Sequence, residues 1–418
     1  MNSQHLKYLN DSLHFDNINL QDLAAKHGTP LFVYSFDTIK TNFLQYKNAL
    51  KGIKHLTCFA LKTNSNSKVL QYLNEFGAGF DTVSGGEIFK VLNVGADPQK
   101  IVYAGVGKTQ EEIDYAIKSN ILMFNVESIS ELNLLNSRAI AAGKKVKISI
   151  RVNPNVDAKT HHYISTGLSK NKFGIDILKA EEVYQYAAGL AGILPVGIHM
   201  HIGSQILDVS PYKEAFTKVF GLYQKLKNQG IKLDYINIGG GLGIVYDKEK
   251  QKSPHVSDLI DGQIADSIKQ NDLTLILEPG RSIVGNAGIL LTKALYNKTN
   301  KSKHFVVIDA GMNDLARPSL YDAYHEIIPV VDNHRQKIVA DVVGPICEST
   351  DFLAKDRLLA KLEEGEYLAV ENAGAYSFSM SSNYNSRLKA AEVAIIDGKD
   401  VLVRRRDSLE DLLKNEII

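Results

Sequence analysis

Lys62 closes the run Thr57-Cys58-Phe59-Ala60-Leu61, which is apolar enough to be a strand buried on both faces. Such a strand has no place for an ammonium in its middle, so the lysine belongs at its carboxyl end. A partly desolvated amine there has a lowered pKa and attacks carbonyls; the plainer reading is a strand-end lysine facing water. Further along, Gly239-Gly240-Gly241 can turn several backbone N–H groups toward one point, as phosphate sites do, or can simply make a tight turn. Glu278, ahead of Pro279, suits the protonated nitrogen of a pyridine, and equally a cap or a salt bridge. His199 and His201 are two apart, a spacing that points both to one side of a strand. An imidazole there can lie flat on an aromatic ring, and His201, beside Gly203-Ser204, is the better placed. The same pair also suits the start of a zinc site, for which His161 and His162 are the available further ligands, although they fall in a loop.

What would bring these residues together is a closed barrel. Apolar, β-rich segments at Thr57–Leu61, Gly79–Val83, Ile101–Ala104, Leu122–Val126, Val146–Val152, Val196–Ile202, Tyr235–Ile238 and Thr274–Leu277 alternate with helical patterns such as Lys68–Phe76, Gly86–Val94, Gln110–Ser119 and Tyr212–Gln229. This alternation predicts a (β/α)8 barrel, and the G-x-G-x-x-G of a dinucleotide-binding sheet is absent after the first strand. Each strand ends on polar or glycine residues: Asp81 to Glu87, Gly105, Asn125 to Glu127, Arg151 to Asn153, His199 to Gln205, the glycine triplet, and Glu278 to Arg281. Barrels often bind phosphate in the loops after strands seven and eight, where the triplet and Gly280-Arg281 both fall. A phosphorylated ligand is thus implied. The hypothesis that joins it to Lys62 and Glu278 is pyridoxal phosphate (PLP), held on Lys62 as a Schiff base.

Beyond Ile283 the rhythm changes to strands and turns, at Phe305–Ile308, Ala340–Val343 and Tyr367–Val370, which predicts a second, all-β domain. The expected division is a barrel over 36–282 and a β domain from 1–35 and 283–418. Arg404-Arg405-Arg406 reads as a solvated strand end, and Ser408 to Ile418 as a terminal amphipathic helix. With 418 residues, 44% hydrophobic and 23% charged, and a formal net charge of +1, the chain has no electrostatic bias toward nucleic acid or membrane. Small molecules are the expected partners. Two cysteines and no apolar leader or span lead us to expect a cytoplasmic protein.

From about Gly28 to about Arg387, an ordered set of motifs resembles one family. Phe59-Ala-Leu-Lys62-Thr-Asn64, Asp81-x-x-Ser84-Gly85-Gly86-Glu87, Lys172-Phe173-Gly174-Ile175, His199-x-His201-Ile-Gly-Ser-Gln205, Gly239-Gly-Gly241 and Glu278-Pro-Gly-Arg281 are similar to the PLP-dependent decarboxylases of the alanine-racemase-type fold. Within these, the chain resembles the diaminopimelate decarboxylases. The resemblance implies that meso-2,6-diaminopimelate is decarboxylated to L-lysine, and that Leu31–Tyr34 joins the β domain. It implies Lys62, His201 and Cys347 as catalytic residues, Cys347 returning a proton to the α-carbon. Asp81, His201, Ser204, Gly239, Gly240, Gly241, Glu278, Gly280, Arg281 and Tyr376 would contact cofactor, and Arg281, Arg317, Tyr321, Glu348 and Tyr376 the substrate. No metal is implied. The Cys347-Glu348 segment would reach the active site of a second copy, so a homodimer with shared sites is expected. Decarboxylases of other basic amino acids or of carboxynorspermidine share the barrel motifs, but Glu348 after the cysteine, together with Arg317, favours diaminopimelate. A racemase would carry arginine where Glu278 stands. A metal-dependent hydrolase and a non-catalytic PLP-binding protein are the readings from other classes.

Overall fold

A computed structural model describes residues 5–158, 172–260, 262–301, 303–332 and 334–417. His161 and His162 lie outside the described residues. The chain separates into two compact units, one of residues 43–243 and 253–282, the other of 1–42, 244–252 and 283–418. The helix Phe36–Ala49 runs across the first of these boundaries.

The first unit is a closed parallel barrel. His55–Ala60, Gly79–Thr82, Ile101–Tyr103, Met123–Val126, Val146–Asn153, Ile193–His199, Tyr235–Asn237 and Thr274–Leu277 pair in chain order, and Leu277 pairs back with Thr57 to close the ring. A short ninth strand, Ile175–Asp176, adds to the edge of Val146–Asn153. Strands buried on both faces show as unbroken apolar runs, which is why all eight were readable. Several of the intervening helices start where side chains satisfy their first N–H groups. Ser84 Oγ accepts from Glu87 N–H, Asn66 Oδ1 from Lys68 N–H, and Thr109 and Glu112 form a reciprocal capping box.

The second unit is built on a sheet ordered Phe352–Ala360, Lys337–Val343, Lys303–Ile308, Gly288–Asn300, Leu31–Ser35, Ala391–Ile396, Lys399–Arg404. The strand Leu31–Ser35 thus lies inside the sheet, antiparallel to Gly288–Asn300 (Phe32 opposite Leu290) and parallel to Ala391–Ile396 (Val33 opposite Val393). All five of its residues are buried. Leu13, Leu20, Leu31, Val33, Leu291, Val330 and Val393 belong to one apolar cluster beneath it.

Two expectations are corrected at the carboxyl end. The helix forms only over Leu409–Leu413, with none of its residues buried, because a helix this short needs an apolar face packed on something. Leu409 and Leu413 are instead exposed. Nor is the basic run simply solvated. Arg406 Nη2 donates to the Pro30 carbonyl at 2.7 Å, and the Arg404 guanidinium lies 4.9 Å from the centre of the Phe378 ring. No described helix is long and apolar enough to cross a membrane.

Candidate active site

The carboxyl end of the barrel gathers the charged residues of the chain's longest motifs. The strand His55–Ala60 gives way to a single turn, Leu61–Thr63, which carries Lys62. Its Nζ donates to Asp81 Oδ2 at 2.8 Å, from the end of the next strand. Asp81 is buried and its other oxygen, Oδ1, has no hydrogen-bond partner among the described residues. Burial, and then the negative charge of Glu278, raise the Asp81 carboxyl to about 6 against the opposing pull of Lys62.

Glu278 behaves in the opposite way. Burial alone would raise its pKa, but His199, Lys62 and the Asn237 amide together hold it well below the usual carboxylate range. Its Oε1 accepts from Asn237 Nδ2 at 2.6 Å and Asn125 Nδ2 at 3.1 Å, and its Oε2 lies 3.2 Å from His199 Nε2. Asn125 is in turn oriented by Ser149, whose hydroxyl donates to Asn125 Oδ1 at 2.5 Å. A carboxylate so held is a fixed negative charge in a buried setting.

The glycine triplet lies beside it. Gly240 N–H donates to His201 Nδ1 at 3.3 Å, Gly239 N–H to Asn237 Oδ1 at 2.9 Å, and the Gly240 carbonyl accepts from Tyr212. A Cβ on Gly240 would run into the Glu278 carbonyl, and Gly241, at φ +110°, has backbone that side chains rarely adopt and faces the Gly203 carbonyl. No larger residue fits. Because His201 accepts on Nδ1, its proton sits on Nε2. Burial, with Arg151 and Lys62 nearby, pushes its pKa well below the usual value, so the ring is neutral. Arg281 Nη2 donates to Ser204 Oγ at 3.0 Å, joining the loops after strands six and eight.

Around this centre the structure adds residues whose role was not legible from their types and spacing. Asn125 and Asn237 donate to Glu278, Ser149 orients Asn125, and a buried pair, Arg151 Nη1 to Glu127 Oε1 at 3.0 Å, ties strands five and four. Glu127 also accepts from Gly105 N–H and Gly174 N–H, at 3.2 and 3.1 Å. The available signal was a polar residue at the end of an otherwise apolar strand.

Gly280 lies in the barrel unit, between Glu278 and Arg281, and the remaining sequence-predicted residues belong to the other unit. Buried Arg317 opens the short helix Arg317–Tyr321, which also carries Tyr321. Cys347 is exposed, with its N–H donating to Asn385 Oδ1 at 2.7 Å. The turn before it is fixed by Asp351, which accepts from the N–H groups of Met312 and Ile346, both at 2.6 Å. Exposed Glu348 accepts from Ser349 N–H at 2.9 Å, and Tyr376 adopts a positive φ of 56°.

Residues 36–285 match the family model described as pyridoxal-dependent decarboxylase, pyridoxal binding domain. The diaminopimelate decarboxylase of Aquifex aeolicus is 51% identical over 410 residues, which cover 98% of this chain and 97% of that protein. The chain belongs to the pyridoxal-dependent decarboxylases. The diaminopimelate decarboxylase of Helicobacter pylori is 48% identical over 400 residues, covering 96% of this chain and 98% of that one. A crystal structure of diaminopimelate decarboxylase from Helicobacter pylori complexed with L-lysine superposes with a TM-score of 0.91 at 47% identity, covering 95% of this chain and 99% of that one. The M. jannaschii diaminopimelate decarboxylase in co-complex with L-lysine gives 0.93 at 39%, covering 100% and 98%. As a pyridoxal-dependent decarboxylase, the chain is a carbon-carbon lyase that uses PLP, and the hydrolase reading of His199 and His201 is set aside. Those two histidines address Glu278 and Gly240.

Proposed function

We propose that this enzyme converts meso-2,6-diaminopimelate to L-lysine and CO2, the last step of lysine biosynthesis, in the cytoplasm. The observation that carries this reading is a near-full-length likeness to diaminopimelate decarboxylases joined to a barrel end that suits PLP. The fit rests on three features: an amine against a buried acid, a carboxylate held ionised, and a glycine cradle that a Cβ would fill. Lys62 Nζ would hold the aldehyde end, and Ser204, Gly239, Gly240, Gly241, Gly280 and Arg281 the phosphate. Neutral His201 would cover the ring face, and Glu278 would keep the ring nitrogen protonated. When bound, PLP supplies the electron sink for the pair left behind as the carboxylate departs.

The rest is the work of the chain's own side chains. Asp81 holds the Lys62 ammonium in place, and a proton on Asp81 would remove that anionic partner. Cys347 Sγ supplies the proton that replaces the lost carboxylate, so that substrate plus one proton gives lysine plus CO2. The far end of the substrate is itself an amino acid, needing cations for its carboxylate and an anion for its ammonium. Arg281, Arg317, Tyr321 and Tyr376 suit the first need, Glu348 the second. A panel of diamino and basic amino acids tests the assignment: CO2 release should be fastest from meso-diaminopimelate. Faster release from lysine or ornithine would point to another decarboxylase.

We further propose a homodimer in which Cys347 and Glu348 serve the partner's site. Their support is exposure on a loop of the β unit and the resemblance of that segment to shared-site decarboxylases. Mixing inactive Lys62→Ala and Cys347→Ala enzymes should then restore activity, up to about a quarter of wild type when exchange is complete. No recovery after subunit exchange has been demonstrated by mass spectrometry would refute shared sites.

A further inference from the structure

Arg317 is held by an arrangement that goes beyond its own role. Its Nη1 is 2.8 Å from His325 Nε2, and His325 Nδ1 is 2.8 Å from the Glu371 carbonyl. A guanidinium can only donate, so Nε2 must carry the lone pair and Nδ1 the proton. The result is a one-way chain: Arg317 donates to His325, and His325 donates to Glu371. The imidazole is buried, and neutral in this tautomer.

The sheet fixes where that imidazole stands. Ile327 pairs with Val370, which brings His325 beside Glu371, and Glu371 N–H donates to the Glu326 carbonyl at 2.8 Å. The His325 carbonyl is itself taken by Arg357 Nη1 at 2.9 Å. From the other side, Tyr246 lays its ring 4.5 Å from the Arg317 guanidinium carbon and packs edge-on to His325, with ring centres 5.2 Å apart. Tyr246 is tethered through its neighbours, since Asn372 Nδ2 donates to the Val245 carbonyl at 3.2 Å and Lys248 Nζ to Glu371 Oε1 at 3.0 Å. One edge of the guanidinium is therefore fixed by a neutral acceptor and one face by an aromatic ring.

We propose that His325, with Tyr246, is a positioning residue that sets the plane of Arg317 for the carboxylate at the far end of the substrate. The proposal rests on the reading of Arg317 as a substrate contact. A neutral acceptor orients the guanidinium and leaves its positive charge uncancelled by that partner, whereas an aspartate in the same place would compete with a substrate carboxylate. The ligand class is thus an α-amino acid whose carboxylate lies at the end remote from the reacting carbon.

The test uses three ligands that differ in carboxylates: diaminopimelate has two, L-lysine one, and 1,5-diaminopentane none. In the holoenzyme, His325→Leu should raise KM for diaminopimelate and Ki for L-lysine by roughly tenfold to a hundredfold, with kcat changed by less than about threefold. Ki for 1,5-diaminopentane should stay within about twofold. His325→Gln, which keeps an acceptor within reach, should recover most of the lysine affinity. If His325→Leu does not fold, Tyr246→Leu should show the same lysine-selective weakening. Equal weakening for lysine and diamine, or none for lysine, would overturn the proposal. Arg317→Ala separates the two assignments: if it leaves lysine affinity intact, the reading of Arg317 itself fails. If it weakens lysine while His325→Leu and Tyr246→Leu do not, only the positioning role fails.

Discussion

Lys62→Ala should lower diaminopimelate turnover by roughly four orders of magnitude or more while leaving the barrel folded. The lysine projects from a one-turn segment past the strand and is partly exposed, so its removal opens no core cavity. What it leaves is buried Asp81 without the ammonium at 2.8 Å. That carboxyl is already raised to about 6, and losing its cation pushes it further up, so it takes a proton instead of remaining a bare buried charge. Lys62→Arg is the informative companion, since it keeps a cation against Asp81 but cannot hold an aldehyde. Both variants should be equally inactive, with the visible absorbance of bound cofactor altered in each. Activity in Lys62→Arg above about a hundredth of wild type would show that the positive charge, not the amine, is what matters.

Glu278→Gln is the second large effect, expected to cost about two to three orders of magnitude in kcat. The substitution preserves shape: an amide oxygen can still accept from Asn237 and Asn125, which both donate to Oε1. What disappears is the charge. His199, Lys62 and the Asn237 amide hold that carboxylate ionised, and a neutral amide in its place offers no charge to keep a ring nitrogen protonated. Because Glu278 is one of the groups that raises Asp81, the Asp81 pKa should fall in the variant. Steady-state kinetics with cofactor content measured in parallel distinguish the cases. A normal cofactor load with kcat lowered a hundredfold or more supports the assigned role, and kcat within about tenfold of wild type contradicts it.

The barrel was legible in the sequence because its physics is local. Parallel strands buried on both sides appear as apolar runs, and several helix starts carry their own cap, as at Ser84 and Thr109. Lys62, Asp81, His201, Ser204, Arg281 and Glu278 were legible as strand-end polar residues, and the structure gathers them at one end of the barrel. Asn125 and Asn237 were not assigned, since the group that explains them lies 153 and 41 residues away. A lone asparagine in a strand does not announce its partner. Residues 244–252 give no sign in composition that they leave the barrel, yet they join the β unit through Lys248 and Asn372. The terminal helix shows the converse limit. Its apolar spacing was real, but Leu409 and Leu413 found no surface to cover.

The central claim is that one particular amine carries the cofactor, and borohydride reduction of the purified holoenzyme followed by peptide mass mapping tests it most directly. Reduction fixes the pyridoxyl group to the nitrogen that holds it. The account predicts that added mass on the peptide containing Lys62 and its loss in Lys62→Arg. Modification of another lysine instead, such as Lys108 with its buried side chain, and Lys62 left unmodified, would contradict it.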